Sequence, residues 1–217
     1  MDRKVKKQKM MLSQAPLIGM ERLRLGTDGQ GVTLLVGFWG CPLRCKYCLN
    51  PQCLNRSAKV VSLSPKELYD VAKKDEFYYV ATKGGVTFGG GEPLLYGDFI
   101  KEVLLCGANK WHTSVETSFN VPTVNLILLK DYVDEFIVDI KDMDSAIYKA
   151  YTGKDNSLVF KNIEYICREN LYNKLKVRIP LIPEYNDVDS VKKSQKKLYE
   201  LGITNVEFLK YRIRYER

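Results

Sequence analysis

TLLVGFWGCPLRCKYCLN, residues 33–50, decides how this chain is read. Its first half, TLLVGFW (33–39), is a short, nearly continuous apolar run of the kind that forms a buried strand. Its second half, WGCPLRCKYCLN (39–50), sets Cys41, Cys45 and Cys48 at a C-x3-C-x2-C spacing. A buried strand that stops at a loop of soft ligands fits an α/β protein, where ligands gather at the carboxyl ends of parallel strands.

The same pattern recurs on the carboxyl-terminal side of that stretch. GVTF (85–88), TSVET (113–117), EFIVDI (135–140), KVRIPLI (176–182) and NVEFLKY (205–211) read as further strands. Helical patterns fill the gaps. Ser64, Pro65 and Glu67 form a capping box with proline in the first turn. Over 157–170, Val159, Phe160, Ile163, Ile166 and Cys167 share one face, and a helix over 188–201 stops at Gly202. Six strand–helix alternations predict an α/β fold with parallel strands covered on both faces. The usual eight-stranded barrel takes ~250 residues, so a partial (βα)6 barrel with an open side is expected, or else an open sheet. Residues 1–15 read as a basic, flexible extension and 16–217 as one domain. At the ends of the first four strands stand polar motifs: the cysteine loop, then GGGEP (89–93), ETS (116–118) and DIK (139–141).

The composition is that of a globular domain with a real core: 217 residues, 45% hydrophobic and 28% charged. Much of the net charge of +8 sits at the ends, in MDRKVKKQK and KYRIRYER. The first of these lacks aromatic residues for base stacking and reads as a solvated tail, so nucleic acid is not expected as a partner. No apolar run reaches the ~18 residues of a membrane span, and MMLSQAPLIGM is too interrupted for a secretory signal. Six cysteines, three of them crowded into one loop, argue for metal binding in a reducing cytoplasm rather than for a disulfide framework.

Two metals suit the loop. Tetrahedral zinc needs a fourth ligand, and Cys53 or His112 would supply it. A [4Fe–4S] cluster held by three thiolates leaves its fourth iron to a small molecule, and an open position marks a working site. Cys106 and Cys167 read as packing residues, and His112 as a surface or packing residue.

The loop resembles the signature of the radical SAM superfamily, in which S-adenosylmethionine chelates the fourth iron and yields a 5′-deoxyadenosyl radical. Tyr47 before the third cysteine fits that pattern. VTFGGGEPLL (86–95) is similar to the family's GGE segment and, with Asn50, implies cofactor contacts at Gly90, Gly91 and Glu92. The likeness extends to glycyl-radical-enzyme activases through GTDGQGVTLLVGFWGCPLRCKYCLNPQ, ETS, VDIKDMD, YTGKDN, VRIPLIPEYND and VEFLKY, in that order over roughly residues 18–212. It implies that Asp139, Lys141 and Arg178 reach the cofactor. It also implies a monovalent cation beside it at Glu116, Thr117 and Asp139, although the family has aspartate where Glu116 stands. A histidine expected on the last strand is replaced by Arg212.

The interval from Cys48 to Gly89 holds one further cysteine, too few for a ferredoxin-like insert, so a single cluster is expected. The implied partners are a glycyl radical enzyme as protein substrate and a flavodoxin or ferredoxin as electron donor, with docking aided by the basic end at Arg214 and Arg217. The rival readings are an enzyme that modifies a ribosomal precursor peptide, a ribonucleotide reductase activase, and a non-catalytic zinc or iron–sulfur module.

Overall fold

The computed structural model describes residues 14–211. Six strands run parallel in the order β2 (Val32–Phe38), β4 (Gly85–Gly90), β5 (His112–Thr117), β6 (Glu135–Asp139), β7 (Leu175–Leu181) and β8 (Val206–Lys210). Each lies within two residues of a predicted strand.

Two further strands were not expected. β1 (Ala15–Leu25) runs antiparallel to β2, and β3 (Val61–Leu63) antiparallel to β1, giving eight strands in one sheet with β3 and β8 at its edges. β1 begins at Ala15, which is buried against the core, inside the segment read as an extension; residues 1–13 lie outside the described part. Only the first part of β1 is buried, and its outer half carries Glu21, Arg22 and Arg24. A half-exposed edge-side strand lacks the apolar run that marks a central one. Because β3 and β8 do not pair, the sheet is a partial barrel with an open side.

Helices cover the outer face: α1 (Pro65–Lys73), α2 (Glu76–Thr82), α3 (Gly97–Leu105), α4 (Thr123–Leu129), α5 (Ser145–Thr152), α6 (Ser157–Arg168) and α7 (Val188–Glu200). The capping box forms as read, with Ser64 accepting from the Glu67 amide and Glu67 from the Ser64 amide. Val86, Phe88, Val115, Phe136, Val138, Val177 and Ile179 pack into one core beneath these helices. Phe38 anchors the end of β2 there, stacked on Tyr96 at 4.9 Å and edge-on to Phe99 at 6.0 Å. Such aromatic contacts contribute about 0.5–1.5 kcal/mol each beyond buried area.

Side chains alternate across a strand, so the intervening residues Thr87, Ser114, Glu116, Glu135, Asp139, Lys176 and Arg178 face inward. Leu35 and Ile137 share that face, which is therefore mixed and rich in charge rather than the second apolar layer that was expected. Its floor is the turn between β1 and β2. There the Thr87 hydroxyl donates to the Asp28 carbonyl, and Arg178 Nη2 donates to the Thr27 carbonyl at 3.1 Å. Gly29, at φ +113°, sits so low that a Cβ would stand 3.0 Å from Thr87 Oγ1 and 3.1 Å from Ser114 Oγ.

Candidate active site

The three clustered cysteines lie in the loop that leaves β2, at the carboxyl end of the sheet. Backbone contacts from three directions fix that loop. Trp39 N donates to Pro16 O on β1 at 2.9 Å, and Gly40 N to Cys53 O at 2.9 Å. From the far side, the amides of Arg44 and Lys46 donate to the carbonyls of Thr152 (2.8 Å) and Tyr151 (3.1 Å) at the end of α5. Arg44 Nη1 closes the turn on the carbonyls of Cys41 and Leu43, both at 2.7 Å. Burial pushes the Cys41 thiol up to about 12, with the nearby Glu92 charge adding to the effect, and burial raises Cys45 as well. Cys48 is held down to about 6, chiefly by a hydrogen bond from the buried Cys53 thiol.

GGGEP lies against this loop. Gly91 N donates to Phe38 O at 3.0 Å and Glu92 N to Gly40 O at 2.8 Å. A Cβ on Gly91 would stand 2.1 Å from the Gly40 carbonyl oxygen, and one on Gly90 2.6 Å from Gly37 Cα. These glycines are required by the close approach of two backbones. Asn50 Nδ2 spans the same junction to Gly90 O at 3.1 Å. The Glu92 carboxylate is 0% exposed and accepts from Thr117 Oγ1 (2.7 Å), Ser118 Oγ (2.7 Å), Ser118 N (3.0 Å) and Leu94 N (3.2 Å). Burial raises its pKa, and these four donors oppose the rise. Its side chain ties the ends of β4 and β5 together.

Two ion pairs lie on the inner face below. Arg178 Nη1 donates to Glu116 Oε1 at 2.8 Å, and Lys141 Nζ lies 3.5 Å from Asp139 Oδ2. Burial lifts Glu116 to about 7, against the attraction of Arg178. For Lys141, burial works against its charge, but Asp139 and then Cys45 outweigh it and raise the pKa. Asp139 Oδ1 is buried with no hydrogen-bond partner. Thr117 projects to the opposite side from Glu116, where its hydroxyl serves Glu92, so the side chains of Glu116, Thr117 and Asp139 are not brought to one point.

Residues 37–194 match the family model of the Radical SAM superfamily. The chain belongs to the radical SAM superfamily. It is 30% identical to the 4-hydroxyphenylacetate decarboxylase activating enzyme of Clostridium scatologenes, over 75% of this chain and 72% of that protein. It is 36% identical to the enzyme of the same name from Clostridioides difficile strain 630, over 67% of this chain; there it spans about half of the relative, 48%. Among solved structures, Streptococcus suis SuiB superposes with a TM-score of 0.61 at 19% identity, over 82% of this chain and 41% of that one. That likeness shows the shared fold.

The cofactors of a radical SAM protein are a [4Fe–4S] cluster and S-adenosylmethionine, and the residues present fit both. Cys41 and Cys45 are half-buried thiols whose surroundings resist ionisation, a setting in which a soft cation replaces the proton. Among the described residues no three Cys, His, Asp or Glu side chains converge on one point as a mononuclear ion requires. The zinc reading loses His112 as well, because it opens β5 at the amino end of the sheet, beside Asp134 and a cavity of about 440 Å³. The unpartnered Asp139 oxygen suits the amino or hydroxyl groups of the nucleoside cofactor.

Tyr47 donates to Glu184 Oε2 at 2.7 Å and packs in a group of four tyrosines with Tyr151 (6.2 Å), Tyr185 (5.8 Å) and Tyr211 (6.2 Å). The last three escaped the sequence reading. Tyr211 is the instructive one, since it follows β8 directly and keeps the alternation of Glu207; Arg212 lies outside the described residues. Counting parity from VEFLK would have singled it out. Ser118, which completes the Glu92 cradle, was legible as the last residue of ETS.

Proposed function

We propose that the chain is the activating enzyme of a glycyl radical enzyme and carries a single cluster on Cys41, Cys45 and Cys48. The observation that supports this most directly is the match to activating enzymes over about three quarters of the chain. The fold agrees, because the cysteine loop stands at the inner face of a sheet that is open between β3 and β8. A protein substrate would close such a mouth with its own loop.

With both cofactors bound, the site would supply the radical chemistry needed to take a Cα hydrogen from a glycine of the partner. The chain's own residues hold and place them. Cys41, Cys45 and Cys48 hold the irons, while Gly90 and Gly91 permit the β4 end to reach the cysteine loop. Glu92 keeps that end in register with β5. Tyr47 and Asn50 flank the third cysteine on either side, and Asp139 and Lys141 present one acceptor and one cation toward the cofactor. Arg178 acts beneath them, through Glu116. A flavodoxin or ferredoxin in a reducing cytoplasm is the electron donor in this reading. No helix among the described residues is long and apolar enough to cross a membrane.

The test is anaerobic. Protein reconstituted with iron and sulfide is reduced with dithionite in the presence of S-adenosylmethionine and a candidate glycyl radical enzyme. 5′-Deoxyadenosine and a carbon-centred glycyl signal in electron paramagnetic resonance are expected, and both vanish in Cys45→Ala. Zinc uptake in place of iron, or deoxyadenosine accompanied by modification of a small peptide and never by a glycyl signal, would overturn the assignment.

A further inference from the structure

The charges of the inner face include two ion pairs, beside Glu135 and the pair of Lys176 with Glu207 at 2.7 Å. Glu116 and Arg178 pair at 2.8 Å with side chains 19% and 13% exposed. Asp139 and Lys141, 36% and 16% exposed, make the second pair. Two acids therefore meet two bases. Arg178 is anchored twice, since its other terminal nitrogen reaches the Thr27 carbonyl of the floor turn. Glu116 is correspondingly committed: Oε1 accepts from Arg178, and Oε2 lies over Gly89, 3.1 Å from where a Cβ would stand.

A monovalent cation at this place would need several oxygens turned toward one point. Thr117 Oγ1 donates to Glu92 and accepts from Phe119 N. Glu116 is held by a guanidinium, and Asp139 Oδ1 is left as the one buried oxygen of the three side chains without a partner. The residues do not fit the cation that the family resemblance implied. A glutamate, one methylene longer than aspartate, reaches across from β5 to β7 and takes its positive charge from Arg178.

We propose that Arg178 serves in this chain as a built-in counter-cation, a positioning residue that holds Glu116 and neutralises it. S-adenosylmethionine then binds without added sodium or potassium. This rests on the cofactor-binding half of the proposed function and not on the partner glycine.

The test uses the reconstituted holoenzyme without any partner, so the activase assignment can fail without changing its result. S-adenosylmethionine is titrated at pH 8 and equal ionic strength in potassium, sodium or choline chloride, with the spectrum of the reduced cluster reporting occupancy. Affinities equal within about twofold in all three salts are expected; tightening of about tenfold or more by potassium or sodium over choline overturns the proposal. Arg178→Gln removes the built-in cation, and its weakened binding is expected to recover by about tenfold when potassium replaces choline. A merely structural loss would not be rescued by an ion. Glu116→Asp, the milder change, withdraws the carboxylate from Arg178 and should acquire the same potassium response. If neither variant responds to potassium, Arg178 is not the counter-cation.

Discussion

Glu116 carries a burial penalty that Arg178 reduces without removing. Its pKa stands near 7 in the folded protein against 4.5 for a free side chain, with burial first among the causes and Asp139 and Asp28 adding to it. The sign follows from proton counting. Between these two values the folded state binds more protons than the unfolded one, so the stability Glu116 contributes is present below pH 4.5 and is lost as pH rises through 7. The loss is on the order of 3 kcal/mol. Thermal melts of wild type and Glu116→Gln across pH 4.5–8 should show the wild type losing ground to the variant over that interval, and parallel curves would refute the shifted titration. The same scale shows what the chain hides about Glu92. Its motif is plain in the chain, but a carboxylate beside a glycine turn reads as facing a ligand. The hydroxyls that occupy it come from β5, 25 and 26 residues away, and no local pattern reveals such partners.

At the level of elements, the last turn of α5 explains why YTGKDN belongs to the site at all. The Tyr151 and Thr152 carbonyls, which a helix leaves unsatisfied at its end, are taken by the amides of Lys46 and Arg44 in the cysteine loop. Gly153 ends the helix in the left-handed region at φ +74°, and a Cβ there would meet nothing closer than 3.8 Å. Gly153→Ala is therefore a test of conformation without a clash. It should cost about 1 kcal/mol, lower the melting temperature by roughly 2–4 °C, and reduce iron bound per chain because the loop's clamp is disturbed. Full iron loading at an unchanged melting temperature would show that the clamp is dispensable. The helix starts at the Asp144 cap, which accepts from the amides of Ala146 and Ile147, and was not among the helices read from the sequence. That its far end would hold the metal loop was not readable.

Across the whole molecule, the site depends on two backbones approaching more closely than any side chain allows. Gly91→Ala puts a methyl 2.1 Å from the Gly40 oxygen and 2.9 Å from Phe38 O, so β4 and the cysteine loop must part. Little iron uptake is expected together with a melting temperature lowered by several degrees; a variant that loads iron like the wild type would show that the approach is not needed. The six parallel strands, their order of motifs and the three cysteines were legible because each depends on local regularities: apolar runs, capping residues and short spacings. β1 and β3 were not, since an antiparallel strand with one exposed half depends on its neighbour rather than on its own apolar content. The sequence by itself determined the alternation, the strand-end loops and the chemistry those loops carry. Only the tertiary structure decided that the inner face is charged and floored by the β1–β2 turn, that Glu116 pairs with Arg178, and that Tyr211 packs beside Tyr47. The physical reason is range. Periodicity is written within a few residues, whereas a buried charge or hydroxyl finds its partner across the sheet, where strand order and register set the distance.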